Sequence, residues 1–572
     1  MSSLKDMRKL KGDEMDLEGL VDHVGSCGKF QVLLVCATFG TLLHIAGGMM
    51  FMVFGSYNPG WDCLGEDNTS LSWPTALPTG HPTGQPTGQT TDLPLANTSS
   101  QPANWELSSE TSLTANASVT ESASGAGNGS CDIISRCSAV AFVEGSSTVV
   151  TEWGLICDKA WVPSVIISVQ MVGVFVGSVL SGAVGDRLGR KVSLYGHISL
   201  HTLVHLVIIF STSWEMYAAL NFFIGVAVGG MISTAYVYPV EFVSQWWRGM
   251  LGTLPAWNVS SALFSAIVLW LRDWKLVHAV ICGVSALTLL PVFWTPESMR
   301  WLTVSGSLVR AHAVAKKIAK CNGREVPSVE MMRSVSEQER KKNAHVDTYS
   351  YLDLFRGKTL CIFSIKMGIV WLCMSITYFT ISFGIKSLSG DFYLNFLLFS
   401  LTELPGLLMV APTTNKLGRR RAGAIHFLTS ASACLIVVLM IFFAPNSSST
   451  DLAINILALV AKMVITGAWM VATIFTMEIY PTVVRSLGVG YVNSASRIGA
   501  IISPYIVTDS PDLLWLPFLI NVVVLVICTL LMLSMPETLG SPLPDTMVHT
   551  PVTKRQLLLV EPDTDKRVGA FS

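Results

Sequence analysis

Gly182-Ala-Val-Gly185-Asp186-Arg187-Leu-Gly189-Arg190-Lys191 separates two long apolar stretches, and ten further stretches of the same kind flank that pair. A segment needs about 20 apolar residues to cross a hydrocarbon core about 30 Å thick. The stretches near 30–54, 161–184, 192–212, 216–239, 249–271, 275–295, 359–384, 391–412, 422–445, 452–475, 486–508 and 512–535 all fit that requirement. The chain is 51% hydrophobic and 13% charged over 572 residues, too apolar and too long for one soluble domain. The sequence therefore predicts an all-α membrane protein of twelve spans, with the lipid bilayer as its main solvent.

Lys and Arg set the orientation. Between residues 55 and 158 the sole basic residue is Arg136, whereas residues 296–358 carry twelve, among them Lys316, Lys317, Arg340, Lys341 and Lys342. The first region is expected outside, the second inside, and both termini in the cytoplasm. Residues 1–29 mix basic with acidic side chains, and the apolar run after them is too long for a cleavable signal. The first span is thus expected to act as an uncleaved anchor.

The outer loop, 55–160, carries the sequons at Asn68, Asn97, Asn116 and Asn128, expected to be glycosylated. A further sequon at Asn258 falls inside a span and reads as a chance match. Its Pro78-Thr-Gly-His-Pro-Thr-Gly-Gln repeat and Ser/Thr-rich continuation cannot bury a core and resemble a mucin-like stalk. Cys63, Cys131, Cys137 and Cys157 form an even set in an oxidising compartment, so two disulfides are expected, with three connectivities open.

The chain also repeats itself. Glu241 precedes Arg248 by seven residues and Glu478 precedes Arg485 by the same spacing; Pro296-Glu-Ser recurs as Pro536-Glu-Thr, and Asp186-Arg-Leu-Gly-Arg190 as Asn415-Lys-Leu-Gly-Arg419. These offsets of roughly 230 to 240 residues predict two six-helix halves related by a parallel repeat. The expected organisation is an N-terminus at 1–29, halves at 30–295 and 359–535, a connector at 296–358 and a tail at 536–572.

These residues, with Asp22-His-Val-Gly-Ser-Cys-Gly28 before the first span, Glu152-Trp-Gly-Leu-Ile-Cys157-Asp158 before the second and Glu478-Ile-Tyr-Pro481 after the tenth, carry a resemblance over nearly the whole chain. The chain resembles the major facilitator superfamily, and within it the organic ion (cation, anion, carnitine) transporter family of solute carriers. The resemblance implies a plasma-membrane carrier that works by alternating access between two rocking halves.

Gating residues follow. Gly182 and Gly185 are expected to let the second span approach a neighbour closely, and Asp186 to face a positive helix N-terminus, where an anion gains about 0.3–1 kcal/mol. The resemblance makes the eleventh helix that partner, with Arg187, Gly189 and Arg190 in the same gate, and Glu241–Arg248 and Glu478–Arg485 as charge-relay pairs.

Charged side chains at mid-membrane depth are costly unless functional. At 1.5 Å per residue, Arg497, Glu403 and Lys462 all lie about 15–18 Å into their spans. Asn493-Ser-Ala-Ser-Arg497 resembles the anion and carnitine branches, in which an Arg at this place meets a carboxylate; the cation branch places Asp there. Leu407 stands where some organic-anion carriers have a second Lys. One Arg beside one Glu suggests a carnitine-like zwitterion or a monoanion. Trp371 and Tyr378, seven apart on one helical face, with Trp257, Tyr236 and Tyr238, would supply aromatic faces for a quaternary ammonium, worth about 0.5–2 kcal/mol. Met231-Ile232 and Thr473 depart from the carnitine pattern.

His197, His201 and His205 form an i, i+4, i+8 stripe, read as helix–helix hydrogen bonding before metal or proton chemistry, and His44 stands alone in the first span. The expected partners are a small organic ion, with a co-transported ion or exchanged anion. No cofactor, metal, nucleic acid or catalytic group is expected. The alternatives weighed are an organic-cation carrier, a sugar carrier, which Arg497 and Glu403 disfavour, and a non-transporting surface protein.

Overall fold

The computed structural model describes residues 17–64, 131, 139–142, 146–252, 254–344, 350–445, 447–481, 483–507 and 513–540. The four expected glycosylation sites, the Pro-Thr-Gly repeat, Cys137 and the tail beyond 540 lie outside them.

A short helix α1 (Leu17–Gly25) leads into the first set of spans: α2 (Lys29–Phe39) continued by α3 (Thr41–Gly55), α5 (Val162–Leu188), α6 (Arg190–Ile208), α7 (Trp214–Val240), α9 (Ala256–Leu271) and α10 (Trp274–Leu287). The small helices α4 (Val149–Trp153) and α8 (Gln245–Gly252) stand between them. The connector forms α11 (Met299–Val304), α12 (Leu308–Asn322) and α13 (Val329–Ala344). The second set is α14 (Lys358–Phe383), α15 (Phe392–Leu408) with α16 (Val410–Leu417), α17 (Arg419–Phe443), α18 (Ser448–Ile479), α19 (Arg485–Ile506) and α20 (Trp515–Leu533). Two short strands, β1 (Trp61–Leu64) and β2 (Ala139–Phe142), pair antiparallel with Cys63 opposite Val140. Cys131 and Cys157 are joined by a disulfide, with Cα atoms 5.6 Å apart.

Each expected span overlaps helix among the described residues. Among the described residues nine helical segments are long and apolar enough to cross a membrane. The remaining three expected spans fall short for legible reasons: α6 holds Arg190, Lys191 and three histidines, α9 has 16 residues, and α19 carries Arg485, Arg497, Asn493 and several Ser residues.

Close helix approach comes from glycines, though not at the ones expected. A Cβ at Gly173 or Gly177 of α5 would run into the Phe222 or Val226 carbonyl of α7, and one at Gly225 or Gly229 of α7 would meet the Gln170 or Val174 carbonyl of α5. These reciprocal small-xxx-small pairs bring the two backbones together. Gly182 instead faces open space, and Gly185 makes only ordinary contact with Ser193.

The repeat is visible in the capping of α6 and α17. Gly189 (φ +107°) and Gly418 (φ +85°) turn the chain into these helices, in backbone conformations that favour glycine. The free amides are met by carboxylates: Glu297 accepts from the Arg190 and Lys191 N–H groups, and Glu537 from those of Arg419 and Arg420. A Cβ at either glycine would collide with that carboxylate. An anion at a helix N-terminus satisfies orphan donors and the helix dipole together, which explains why Pro-Glu-Ser and Pro-Glu-Thr recur with the Leu-Gly-Arg strings.

Candidate functional site

The two sets of helices meet at the end that bears Cys157. Ser164 and Ser168 of α5 donate to the Pro504 and Ile501 carbonyls of α19 at 3.1 and 2.9 Å. Ser265 of α9 and Ser400 of α15 share a hydrogen bond of 2.6 Å, and Phe264 packs edge-on against Phe396. Arg272 closes the same end: its guanidinium is 3.6 Å from Asp391 and 4.6 Å from the Tyr393 ring centroid. Its backbone is left-handed (φ +51°), a conformation costly for a non-glycine residue. Tyr57 stacks on Phe392 beside it, with centroids 4.1 Å apart.

At the opposite end the charges pair within each set. Arg190 Nε is 3.0 Å from Glu241 and its Nη1 2.7 Å from Asp186, while Arg419 Nε is 3.2 Å from Glu478. The expected Glu241–Arg248 and Glu478–Arg485 pairs are thus replaced by Glu241–Arg190 and Glu478–Arg419, because the arginine that follows each capped glycine points back onto the neighbouring helix. Arg248 reaches Glu18 of α1 at 2.6 Å instead, and Arg300 reaches the same carboxylate at 2.5 Å. Arg485 has two buried nitrogens, Nε and Nη2, without a partner. Asp186, 74% exposed, is paired with Arg190, and no contact among the described residues joins it to α19. Arg187 is exposed too.

Three of the expected substrate residues form one buried cluster. Lys462 Nζ lies 3.1 Å from Glu403 Oε1, donates to Ser382 Oγ at 2.7 Å and sits 3.3 Å above the Tyr378 ring. Tyr378 donates its hydroxyl proton to Glu403 at 2.6 Å, and Trp257 lies beside that hydroxyl. The second Glu403 oxygen accepts from Asn258 Nδ2 at 3.2 Å. Glu403 and Lys462 are 2% and 3% exposed, and an ion pair so buried persists only when its remaining donors and acceptors are satisfied. Asn258, read from the sequence as a chance sequon, is the first set's contribution to this network. Its signal was its type: an amide inside an apolar span requires a partner.

Trp371 and Tyr378 share a face, as their spacing predicts, and both rings pack against Trp469, at 5.4 and 5.5 Å. Trp371 donates to Thr476 at 3.0 Å and is itself buried, so the half-buried Trp469, absent from the sequence reading, is the ring presented outward. Tyr236 is half-buried beside Phe39. Tyr238 is buried and donates to the Pro296 carbonyl, a structural anchor.

Arg497 stands apart. It is half-buried, and none of the hydrogen bonds and ion pairs among the described residues engages its guanidinium. Residues 497, 501 and 504 fall on one face of α19, and that face meets α5 through the Ile501 and Pro504 carbonyls. Arg497 is therefore one turn further from the closed end, toward the junction of the two sets. Glu403 and Lys462 offset each other, so Arg497 is the one of the three expected substrate charges without a counter-ion among the described residues.

Residues 108–547 match the family model described as "Sugar (and other) transporter". The chain is similar to the human organic cation/carnitine transporter 2, 30% identical over 406 residues that cover 70% of this chain and 71% of that protein. It is also similar to the Danio rerio solute carrier family 22 member 6, 26% identical over 542 residues, covering 93% and 94%. Among solved structures it resembles the partially occluded inward-open xylose transporter XylE from E. coli, with TM-score 0.52, 16% identity, and coverage of 67% of this chain and 89% of that one; this likeness concerns the fold. The chain belongs to the major facilitator superfamily and, within it, to solute carrier family 22, the organic cation, carnitine and anion transporters.

Proposed function

We propose that this carrier moves small carboxylate-bearing organic ions across the plasma membrane by alternating access, with Arg497 as the carboxylate's partner. The observation that carries this reading is the Arg497 guanidinium, engaged by no hydrogen bond or ion pair among the described residues, while the Glu403–Lys462 pair already satisfies itself. A buried or half-buried cation without an anion is costly, so an arriving carboxylate would relieve the site, whereas an organic cation would add to its charge. A monoanion is the leading substrate class. A carnitine-like zwitterion is the second, supported by Trp469, whose face suits either an apolar body or an ammonium.

With the basic connector in the cytoplasm, the Ser164, Ser168 and Arg272 contacts close the outside, and Asp186, Arg190 and Arg485 stand at the cytoplasmic gate. In the opposite state Asp186 would leave solvent to meet the N-terminal end of α19, where Arg485 lacks a partner, and Gly182 and Gly185 would take up the close approach they lack here. Sodium, protons or an exchanged anion would drive the cycle.

Uptake into cells separates the classes. A panel of carnitine, a monocarboxylate, a dicarboxylate and tetraethylammonium, with and without sodium, is expected to show carboxylate uptake exceeding that of the cation. Preferential uptake of tetraethylammonium would overturn the reading in favour of a cation carrier.

A further inference from the structure

The histidine stripe joins a larger assembly. His201 and His205 of α6 are met by His44 of α3 and His278 of α10, making a column with successive ring centroids 5.0 Å (His44–His201), 4.3 Å (His201–His205) and 4.9 Å (His205–His278) apart. All four rings are at most 1% exposed. His197 stays outside it, bonded to the Ser193 carbonyl at 2.6 Å.

Counting protons shows what the column lacks. Thr288 Oγ1 donates to the Ser285 carbonyl, so it accepts from His44 Nε2, and His44 Nδ1 is left a bare acceptor. Thr202 Oγ1 donates to the Ile198 carbonyl, so the Ser285 hydroxyl donates to Thr202 and accepts from His201 Nδ1, leaving His201 Nε2 bare as well. His205 and His278 share one hydrogen bond between their Nδ1 atoms at 2.8 Å, and Tyr217 lies 3.2 Å from His278 Nε2. That chain can be written in either direction, and in both His205 Nε2 has no partner. Each unmet buried group costs about 1–3 kcal/mol, and His44 Nδ1 and His201 Nε2, the two whose tautomers are fixed, both lack a donor.

No carboxylate of the packed helices supplies one. Helices α3, α6 and α10 contain no Asp or Glu; α7 adds Tyr217, Asn221 and, at its exposed first turn, Glu215; α10 adds Cys282; α5 faces α3 with Gln170, which donates to the Gly48 carbonyl. At the column's outer end Trp274 packs on His278 and donates to Glu152, itself 2.7 Å from Lys275. The inner end stops at His44.

The same column touches the closure between the two sets. Phe51 stacks on His278 at 3.9 Å, Phe54 packs on Phe51, and Phe54 also packs on Tyr393, the ring under Arg272.

We propose that His44, His201, His205 and His278 form a proton site, loaded from the Glu152 end, whose occupancy is coupled to closure at Arg272 and Asp391. The proton enters at His278 or His205, shifts the shared hydrogen bond, and comes to rest on a bare nitrogen of His201 or His44, making one imidazolium. The column seen here is the unloaded form. This rests on the carboxylate reading above in one respect: a monoanion carried with one proton crosses without net charge.

The test needs no transport substrate. Full-length protein with nitrogen-15 histidine, in lipid nanodiscs, is titrated from about pH 8 to about pH 5, where imidazoles ordinarily change charge. The expected result is proton uptake by ring signals that vanish in His201→Gln and His44→Gln, and that persist in His197→Gln and Arg497→Gln. In proteoliposomes an inward proton gradient should raise monocarboxylate accumulation about tenfold in the wild type, with the gain lost in His205→Gln and His278→Gln while exchange at equal pH continues. Column rings that stay neutral to pH 5, with a gradient response unchanged in these variants, overturn the proposal. Loss of exchange in Arg497→Gln alone bears only on the carboxylate reading. Thermal unfolding of each variant identifies any that fail to fold, and the remaining column histidines then carry the comparison.

Discussion

Glu403 Oε1 and Lys462 Nζ lie 3.1 Å apart with both side chains buried, and the pair offsets two of the three charges that the sequence offered to a ligand. Removing one partner strands the other, at a cost of about 3–5 kcal/mol. Glu403→Gln and Lys462→Met should each lower the melting temperature sharply in detergent, and the double variant should recover most of the loss. Equal stability of the single and double variants would count against a mutually compensating pair.

The Glu297 cap makes a second prediction. Glu297→Ala leaves the Arg190 and Lys191 amides without their carboxylate, and charge-assisted hydrogen bonds are worth about 1.5–3 kcal/mol each. Gly189→Ala places a Cβ against the same carboxylate and forces φ +107° on a residue that resists it. Both should lower surface expression and thermal stability, with Glu537→Ala and Gly418→Ala repeating the effect in the second set.

Arg272 and Asp391 should report the outer closure. Cysteines at both positions, bridged by a short bifunctional crosslinker, are expected to hold the outside shut and abolish uptake, and cleavage of the linker should restore it. Full uptake by the crosslinked carrier would show that this end does not open in the cycle.

A pH dependence follows from Glu18. Burial raises its pKa, but the Arg300 and Arg248 guanidiniums outweigh that and hold it below the ordinary value of 4.5. A depressed carboxylate stabilises the folded state above its unfolded pKa and loses that contribution as pH falls through the folded value. The protection of α1 amides, their exchange relative to the intrinsic rate at each pH, should therefore be constant from neutral pH down to about 4.5 and fall only below it. Glu18→Gln should raise exchange at neutral pH.

Much of the fold was legible because spans, sequence repeats and basic loops are written in composition. Nine of the twelve apolar stretches are helices long and apolar enough to cross a membrane among the described residues, and the spacing of Trp371 and Tyr378 put them on one face. The gate pairings were not legible, because a seven-residue spacing from Glu241 to Arg248 says nothing about the turn at Gly189 that aims Arg190 back at Glu241. Nor could the sequence show that Asn258, Trp469 and His278 complete clusters begun by residues far away in the chain. Those contacts arise only when α9 meets α15, α14 meets α18, and α6 meets α10. Of the three connectivities open to the outer cysteines, the one containing Cys131–Cys157 pairs Cys63 with Cys137, and peptide mapping of the unreduced protein should recover both bridges.

The central claim, that Arg497 receives the substrate's carboxylate, is tested most directly by uptake with Arg497→Lys, Arg497→Gln and Arg497→Asp at matched surface expression. The account predicts carboxylate uptake reduced about tenfold or more in Gln, abolished in Asp, and partly retained in Lys, which keeps the charge but loses the planar fork. Carboxylate uptake unchanged in Arg497→Asp would contradict it.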